Sequence, residues 1–428
     1  MERLLEIARK HADAATVYQE SGTQDGVGFE NGRLKSADSA MRSGTALTVV
    51  KDGKQGFAYT RNLIDREGLV RDALAALVRG VEAAGELPRP VKLPQLETAA
   101  EQVGGNALLA EECRRLTDYL SSRVKGQVNV GAGRGEDEVR LITSSGVDVR
   151  QRSTQYSAAA HVLYPGSYSS IGRVCAAKAF MPFPDGDLQF IADTYNASMK
   201  EARAVPGRTR VLFLPEAVYA LAWRLTAATN AKSVYEKVSP LADRTGERIL
   251  SDRLTFIDEP LNDSLPGARA FDDEGTPCRP LKLFESGVLR GFYNDRFYAH
   301  KTGAEPTGHG YRGGVTARPR PALAHLALVP GDQSLAGLLK LMGRGVVVAG
   351  VMGAHSGNIL NGDYSVGLAP GLWVEDGAIV GVVKDSMVAG NVYEDLKNVL
   401  AVGDTAYPAP MGRFPALLLD KISFSART

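Results

Sequence analysis

Hydrophobic and polar positions alternate along this chain with two different periods, and the changes of period mark its elements. In the opening "MERLLEIARKHA", Leu4, Leu5, Ile7 and Ala8 fall on one helical face, so a short helix is predicted there. From Ala14 the period drops to two. "AATVYQES", "VGFENGRLKSA" and "GTALTVVKDGKQGFAYT" read as short β runs broken by Asn-Gly and Asp-Gly, pairs that tolerate the positive φ of tight hairpin turns. "LIDREGLVRDALAALVRGVEAAG" returns to helical spacing, with Leu69, Ala73, Leu74 and Leu77 as its apolar stripe and Gly85 as a stop. Residues 86 to 98, "ELPRPVKLPQLET", hold three prolines and predict an extended connector before a second helix in "ALLAEECRRLTDYLSSRV".

Alternation resumes from Gln127 to Tyr164, where a meander of three or four strands is expected, with turns at Gly131–Asp137 and Ser145–Gly146. Residues 185 to 203 read as helical, and "RTRVLFLP" as a buried strand opening the second half. The boundary is placed near Pro206. This gives an N-terminal domain of helices and β-meanders over 1–205 and a β-rich domain over 206–428. One unit recurs: "ENGRL" at 30, "KDGKQG" at 51, "ESGVLRG" at 285 and "EDGAIVG" at 375 each place a polar-Gly turn between apolar runs. These are reused hairpins rather than a true repeat. The fold class expected is α+β, with two domains of hairpin-rich antiparallel sheets flanked by helices.

Composition narrows the function more than the fold. Lys plus Arg number 50 against 49 Asp plus Glu, so no global field points to nucleic acid or to an anionic membrane. Runs such as "GVVVAGVMGA" are too short to span a bilayer, and the first fifteen residues lack a signal-peptide core. The three cysteines, Cys113, Cys175 and Cys278, are odd in number and widely spaced, which argues against a disulfide framework. A cytoplasmic location is expected.

The six histidines are His11, His161, His300, His309, His325 and His355, and no two lie within five residues of each other. A helix carrying two zinc-binding histidines on one face is therefore excluded by counting. Cys278, His300 and His309 could meet only through loops, and surface or interface loops are the plainer expectation for the two histidines. The stretch "HSGNILNGDYSVG" gathers His355, Ser356, Asn358 and Asp363 in a glycine-punctuated loop. Adjacent His355 and Ser356 point apart, so they make a poor base and nucleophile. Neither a Gly-x-Ser-x-Gly elbow nor a phosphate-binding loop of the Walker type occurs.

Several stretches taken together carry a resemblance. "SGTALTVVKDGKQGFAYT", "FDDEGTPCRPLKLFESGVLRGFYNDRFYAHKTG", "PTGHG" and "HSGNILNGDYSVGLAPGLWVEDGAIVGVVKDSMVAGNVYEDLKNVLAVGD", in this order, are similar to the TldD/PmbA family, once called modulators of DNA gyrase. The resemblance extends over nearly the whole chain. It implies a family of metallopeptidases that trim unfolded peptides, in which a zinc-bearing catalytic subunit works with a related non-catalytic one. Catalytic members carry His-Glu-x-x-x-His on the helix after the strand that opens the second half, and a cysteine ligand near the C-terminus. In "EAVYALAWRLTAATNAKSVYEK", Trp223, Arg224 and Ala228 stand at those helical positions, and "NVLAVGDTAYPAPMGRFP" contains no cysteine.

The resemblance therefore implies the PmbA/TldE-like branch, with no metal on this chain and zinc on a TldD-like partner in a heterodimer, or else self-association as a homodimer. Trp223 is expected to pack in an amphipathic helix whose core face is Val218, Leu221, Ala222 and Leu225, while the role of Arg224 stays open. His355, Asn358 and Asp363 either scaffold the loop or contact a peptide. Asp272 and Asp273 of "DDEGTP" either order a turn or face a partner. A self-sufficient hydrolase using Cys278, His300, His309 or His355, and a homo-oligomeric peptide-binding protein, are the competing readings.

Overall fold

The computed structural model describes residues 1–101 and 103–427. It is built around three main sheets. The first has seven strands, all antiparallel, in the spatial order β4-β3-β2-β1-β5-β6-β7: β1 (Ala14–Glu30), β2 (Arg33–Lys51), β3 (Lys54–Thr60), β4 (Val81–Glu82), β5 (Gln127–Thr143), β6 (Asp148–Leu163) and β7 (Ser170–Ala177). Register separates its two faces. Val17 pairs with Leu47 and Ile142 on one face, and Tyr18 with Ala46 and Leu141 on the other. The first face is covered by helices α1 (Glu2–Arg9), α2 (Arg66–Ala75), α3 (Asn106–Ser121) and α4 (Asp185–Ala197). The second face meets Val315 from the other half of the chain.

The expected hairpin turns are present. Asn31-Gly32, Asp52-Gly53, Ser286-Gly287 and Asp376-Gly377 all hold both central residues at positive φ, the mirror-image turn that follows the natural twist of paired strands. The expected turn at Gly131–Asp137 is absent. β5 runs straight through it, because this glycine-rich stretch lies beside a matching one: Gly28 opposes Gly131 and Gly26 opposes Gly133. Missing side chains let the strands carry little bulk on these faces, and the ladder holds the chain extended. For the same reason "AATVYQES" and the "VGFE" beyond it lie in one strand of 17 residues, and the second run ends in β2 after the Asn31-Gly32 turn. Helix α4 ends at Ala197 rather than near 203. The chain then runs extended, and Ala202 donates its amide to the Val382 carbonyl at 2.9 Å.

The second large sheet is the central layer. Strand β8 (Gly207–Phe213) lies in it parallel to Gly345–Val348 and antiparallel to Leu417–Ala426. Its residues alternate between two cores. Val211, Phe213, Val346, Val348 and Trp373 face helix α5 (Pro215–Ala228), whereas Leu212, Val347, Leu372 and Leu418 share a cluster with α3 and α4. Burial on both faces explains the unbroken apolar runs "VLFLP", "GVVVAG" and "ALLLD". A six-stranded sheet closes the far side of α5, supplying Phe256, Leu283, Phe284 and Leu326. The α+β class is as expected, and no described helix is long and apolar enough to cross a membrane.

Candidate functional site

Helix α5 organises the site. Pro215 occupies its first turn, where a missing N–H costs nothing, and Ala217, Val218, Leu221, Ala222 and Leu225 are buried against the central sheet. Between these core positions, Trp223 and Arg224 leave the helix in different directions. Trp223 is half-buried, and instead of packing into the core it lines an open cleft of about 710 Å³. Arg224 is wholly buried and Ala228, one turn on, is buried beneath the helix.

Every nitrogen of the Arg224 guanidinium donates to a backbone carbonyl. Nη1 donates to Ala220 and Ala354 at 2.7 Å each, Nη2 to Ser356 at 2.7 Å, and Nε to Asp363 at 3.1 Å. Three of those four carbonyls belong to the loop 354–363, so Arg224 ties "HSGNILNGD" to α5. Burial lowers its proton affinity, partly offset by Tyr364 and Asp363. The rest of the loop is bonded to itself. Asn358 Oδ1 accepts from the Asn361 amide at 3.1 Å, the Asp363 amide donates to the Asn358 carbonyl at 3.0 Å, and Asn391 Nδ2 donates to Asp363 Oδ1 at 2.9 Å. His355, Asn358 and the Asp363 side chain are exposed at its surface. Gly357 and Gly362 sit at φ +97° and +86°, and a Cβ on Gly362 would stand 2.6 Å from the Tyr393 ring.

The cleft lies between the two halves of the chain. Gln55, Val81 and Ala84 contribute from the first half, and Trp223, Tyr293 and Tyr298 provide aromatic surface from the second. Glu274 and Asp295 occupy one wall. Glu274 Oε2 accepts the Arg296 amide at 2.8 Å, and Asp295 Oδ1 accepts the Tyr298 amide at 2.8 Å, capping the short helix Arg296–Thr302. Burial pushes Asp295 up to about 6 against the pull of the Tyr298, Asp295 and Phe297 amides. Burial, then the charges of Asp272 and Asp295, holds Glu274 well above the usual carboxylate range.

Asp272 and Asp273 are buried beside this wall with their oxygens committed. Asp272 accepts the amides of Glu274, Thr276 and Gly310, and burial raises it to about 6. Asp273 pairs with Arg269 and accepts the Arg312 amide at 2.8 Å. The remaining candidates do not converge. His309 is fully buried rather than on a surface loop. Its Nε2 meets Asp258 at 3.1 Å and its Nδ1 the Thr307 carbonyl at 2.9 Å, so neither nitrogen is open to a ligand. Cys278 is buried against Tyr311, and burial pushes its thiol up to about 12, the opposite of an activated nucleophile. His300 is exposed on the short helix.

These residues do not fit a divalent cation. A guanidinium occupies the interior position on α5, no histidine or cysteine lines the cleft, and among the described residues no group of three or more His, Cys, Asp or Glu side chains is arranged so that it could hold a metal ion. Reading the sequence missed one part of the cleft, the segment Arg318-Pro319-Arg320-Pro321, whose signal was the alternation of arginine with proline.

The architecture is an α+β fold with an open cleft between its halves, at the helix that follows the central strand. The model for the "PmbA/TldA metallopeptidase C-terminal domain" matches residues 206–426 and that for domain 1 of the same proteins matches 15–85; the chain belongs to the PmbA/TldD family. An uncharacterised protein of Methanocaldococcus jannaschii is 27% identical over 94% of this chain and 95% of its own length. The metalloprotease PmbA homologue of Haemophilus influenzae is 32% identical over 55% of this chain and 49% of its own. In fold, the chain matches TldE of Thermococcus kodakarensis with a TM-score of 0.92 at 22% identity, covering all of both chains.

Proposed function

We propose that this chain is a non-catalytic subunit that docks onto a zinc-bearing, TldD-like metallopeptidase and completes the cavity in which an unfolded peptide is held. The observation that carries this reading is Arg224. Where the resemblance aligns the metal-binding motif, a permanent cation fills the interior and is consumed by the backbone of a neighbouring loop. The likeness to TldE and to PmbA homologues supports the same branch. The aromatic cleft beside Trp223 is the surface that such a subunit offers to a substrate.

The test is reconstitution. Purified alone, with adventitious metal stripped and zinc resupplied, the chain is expected to leave unstructured peptides intact. Mixed with a relative bearing His-Glu-x-x-x-His, it is expected to co-elute as a complex and to raise hydrolysis above that of the relative alone. Hydrolysis at enzymatic rates by the isolated chain, abolished by alanine at Cys278, His300, His309 or His355, would instead establish a self-sufficient hydrolase. A homodimer indifferent to the relative would establish a peptide-binding protein with no peptidase partner.

A further inference from the structure

The acidic and basic groups that line the cleft differ in how far they are paired. On one wall, Glu274 and Asp295 spend lone pairs on the amides of Arg296 and Tyr298. The segment Arg318-Pro319-Arg320-Pro321 brings Arg318 and Arg320 to the same cleft. Each arginine precedes a proline, and that linkage disfavours the helical region and holds both residues extended. In an extended segment, residues two apart project to the same side. The pairing of Tyr311 with Arg320, and of Gly310 with Pro321, fixes the segment against its neighbour.

Neither guanidinium has a carboxylate within 4 Å among the described residues, whereas Arg42, Arg140, Arg150, Arg152, Arg173 and Arg269 all do. Arg318 reaches only the Gln55 carbonyl, at a long 3.5 Å, and lies 5.7 Å from the centre of the Phe57 ring. Burial alone acts on its proton affinity, with no neighbouring acid to restore it. Two unpaired guanidinium forks on an extended backbone, beside aromatic surface, form an arrangement suited to a carboxylate attached to an extended chain.

We propose that this cleft selects peptides carrying a carboxylate, either the C-terminal group or an Asp or Glu side chain, which Arg318 and Arg320 grip while the adjoining residues lie on Trp223 and Tyr298. This rests on the peptide-holding role proposed above. It adds a charge preference that such a role does not by itself require.

Fluorescence anisotropy with three labelled unstructured peptides of one backbone sequence tests it on the full chain. One peptide is neutral and amidated, one has a free C-terminus, and one is amidated with two internal glutamates. Either carboxylate-bearing peptide should bind at least about tenfold tighter than the neutral one in low salt, with the advantage shrinking as salt is raised. Which of the two gains more identifies the source of the carboxylate. Replacing both arginines, R318Q with R320Q, should bring both carboxylate-bearing peptides down to the affinity of the neutral one, while R318K with R320K should restore part of the advantage. Equal binding of all three peptides, or an advantage untouched by R318Q with R320Q, overturns the inference but leaves peptide holding intact. Failure of every peptide to bind removes the peptide-holding reading itself, and this inference with it.

Discussion

Arg224 shows how far one side chain can decide a region. Its guanidinium lies in the interior without an acid, a state tolerated only because four carbonyls surround it. Arg224→Met keeps the apolar stem but strips three loop carbonyls of their donor. The expected loss is on the order of 2–4 kcal/mol in urea unfolding, with faster amide exchange confined first to residues 353–363. Arg224→Lys should recover only part of this, because one ammonium cannot reach carbonyls spread around a planar fork. None of this was legible in the sequence. The arginine was visible as a departure from the metal motif, but its loop partners lie 130 or more positions along the chain. His309 was obscure for the same reason, since its partner Asp258 is 51 residues away.

At the scale of elements, what was legible was local. The four Asx-Gly and Ser-Gly hairpins could be read because a turn's chemistry resides in two residues. The long strands could not, because the glycines of β5 read as turns until β1 and β6 were laid beside them. Two glycines separate conformational need from close packing. Gly53 sits at φ +72° in open space, whereas Gly362 combines φ +86° with the Tyr393 ring at 2.6 Å. Gly53→Ala should cost about 1 kcal/mol, the strain of a left-handed alanine. Gly362→Ala should cost roughly twice that or more, and should also shift the loop that holds Asn358 and Asp363. Paired thermal melts would separate the two, and equal losses would show that the ring yields freely.

For the whole molecule, the boundary expected near Pro206 falls in the stretch between the seven-stranded sheet, which ends at Ala177, and the central one, whose first strand begins at Gly207. The cores do not divide in the same way. Leu109, Leu116, Leu188 and Ile191 of α3 and α4 share a cluster with Leu212, Leu338, Met342, Val347 and Leu418. Val315 from the second half packs on the far face of the first sheet, beside Gly44. The intact chain should therefore melt in a single transition by calorimetry. Residues 1–205 expressed alone should bind a hydrophobic dye and lack cooperative unfolding, because cutting there exposes a shared interior. Two well-separated transitions in the intact chain would argue for independent units.

The guanidinium under the loop also has a historical meaning. To rebuild a hydrolytic centre on this helix, position 224 would have to give up the cation, and the first cost of that exchange would fall on the neighbouring backbone before any zinc could be gained. Descent from a metal-binding ancestor, once this residue had been recruited to hold the loop, would run downhill in one direction only. The dependence on a partner proposed above would then be kept in place by the chain's own stability.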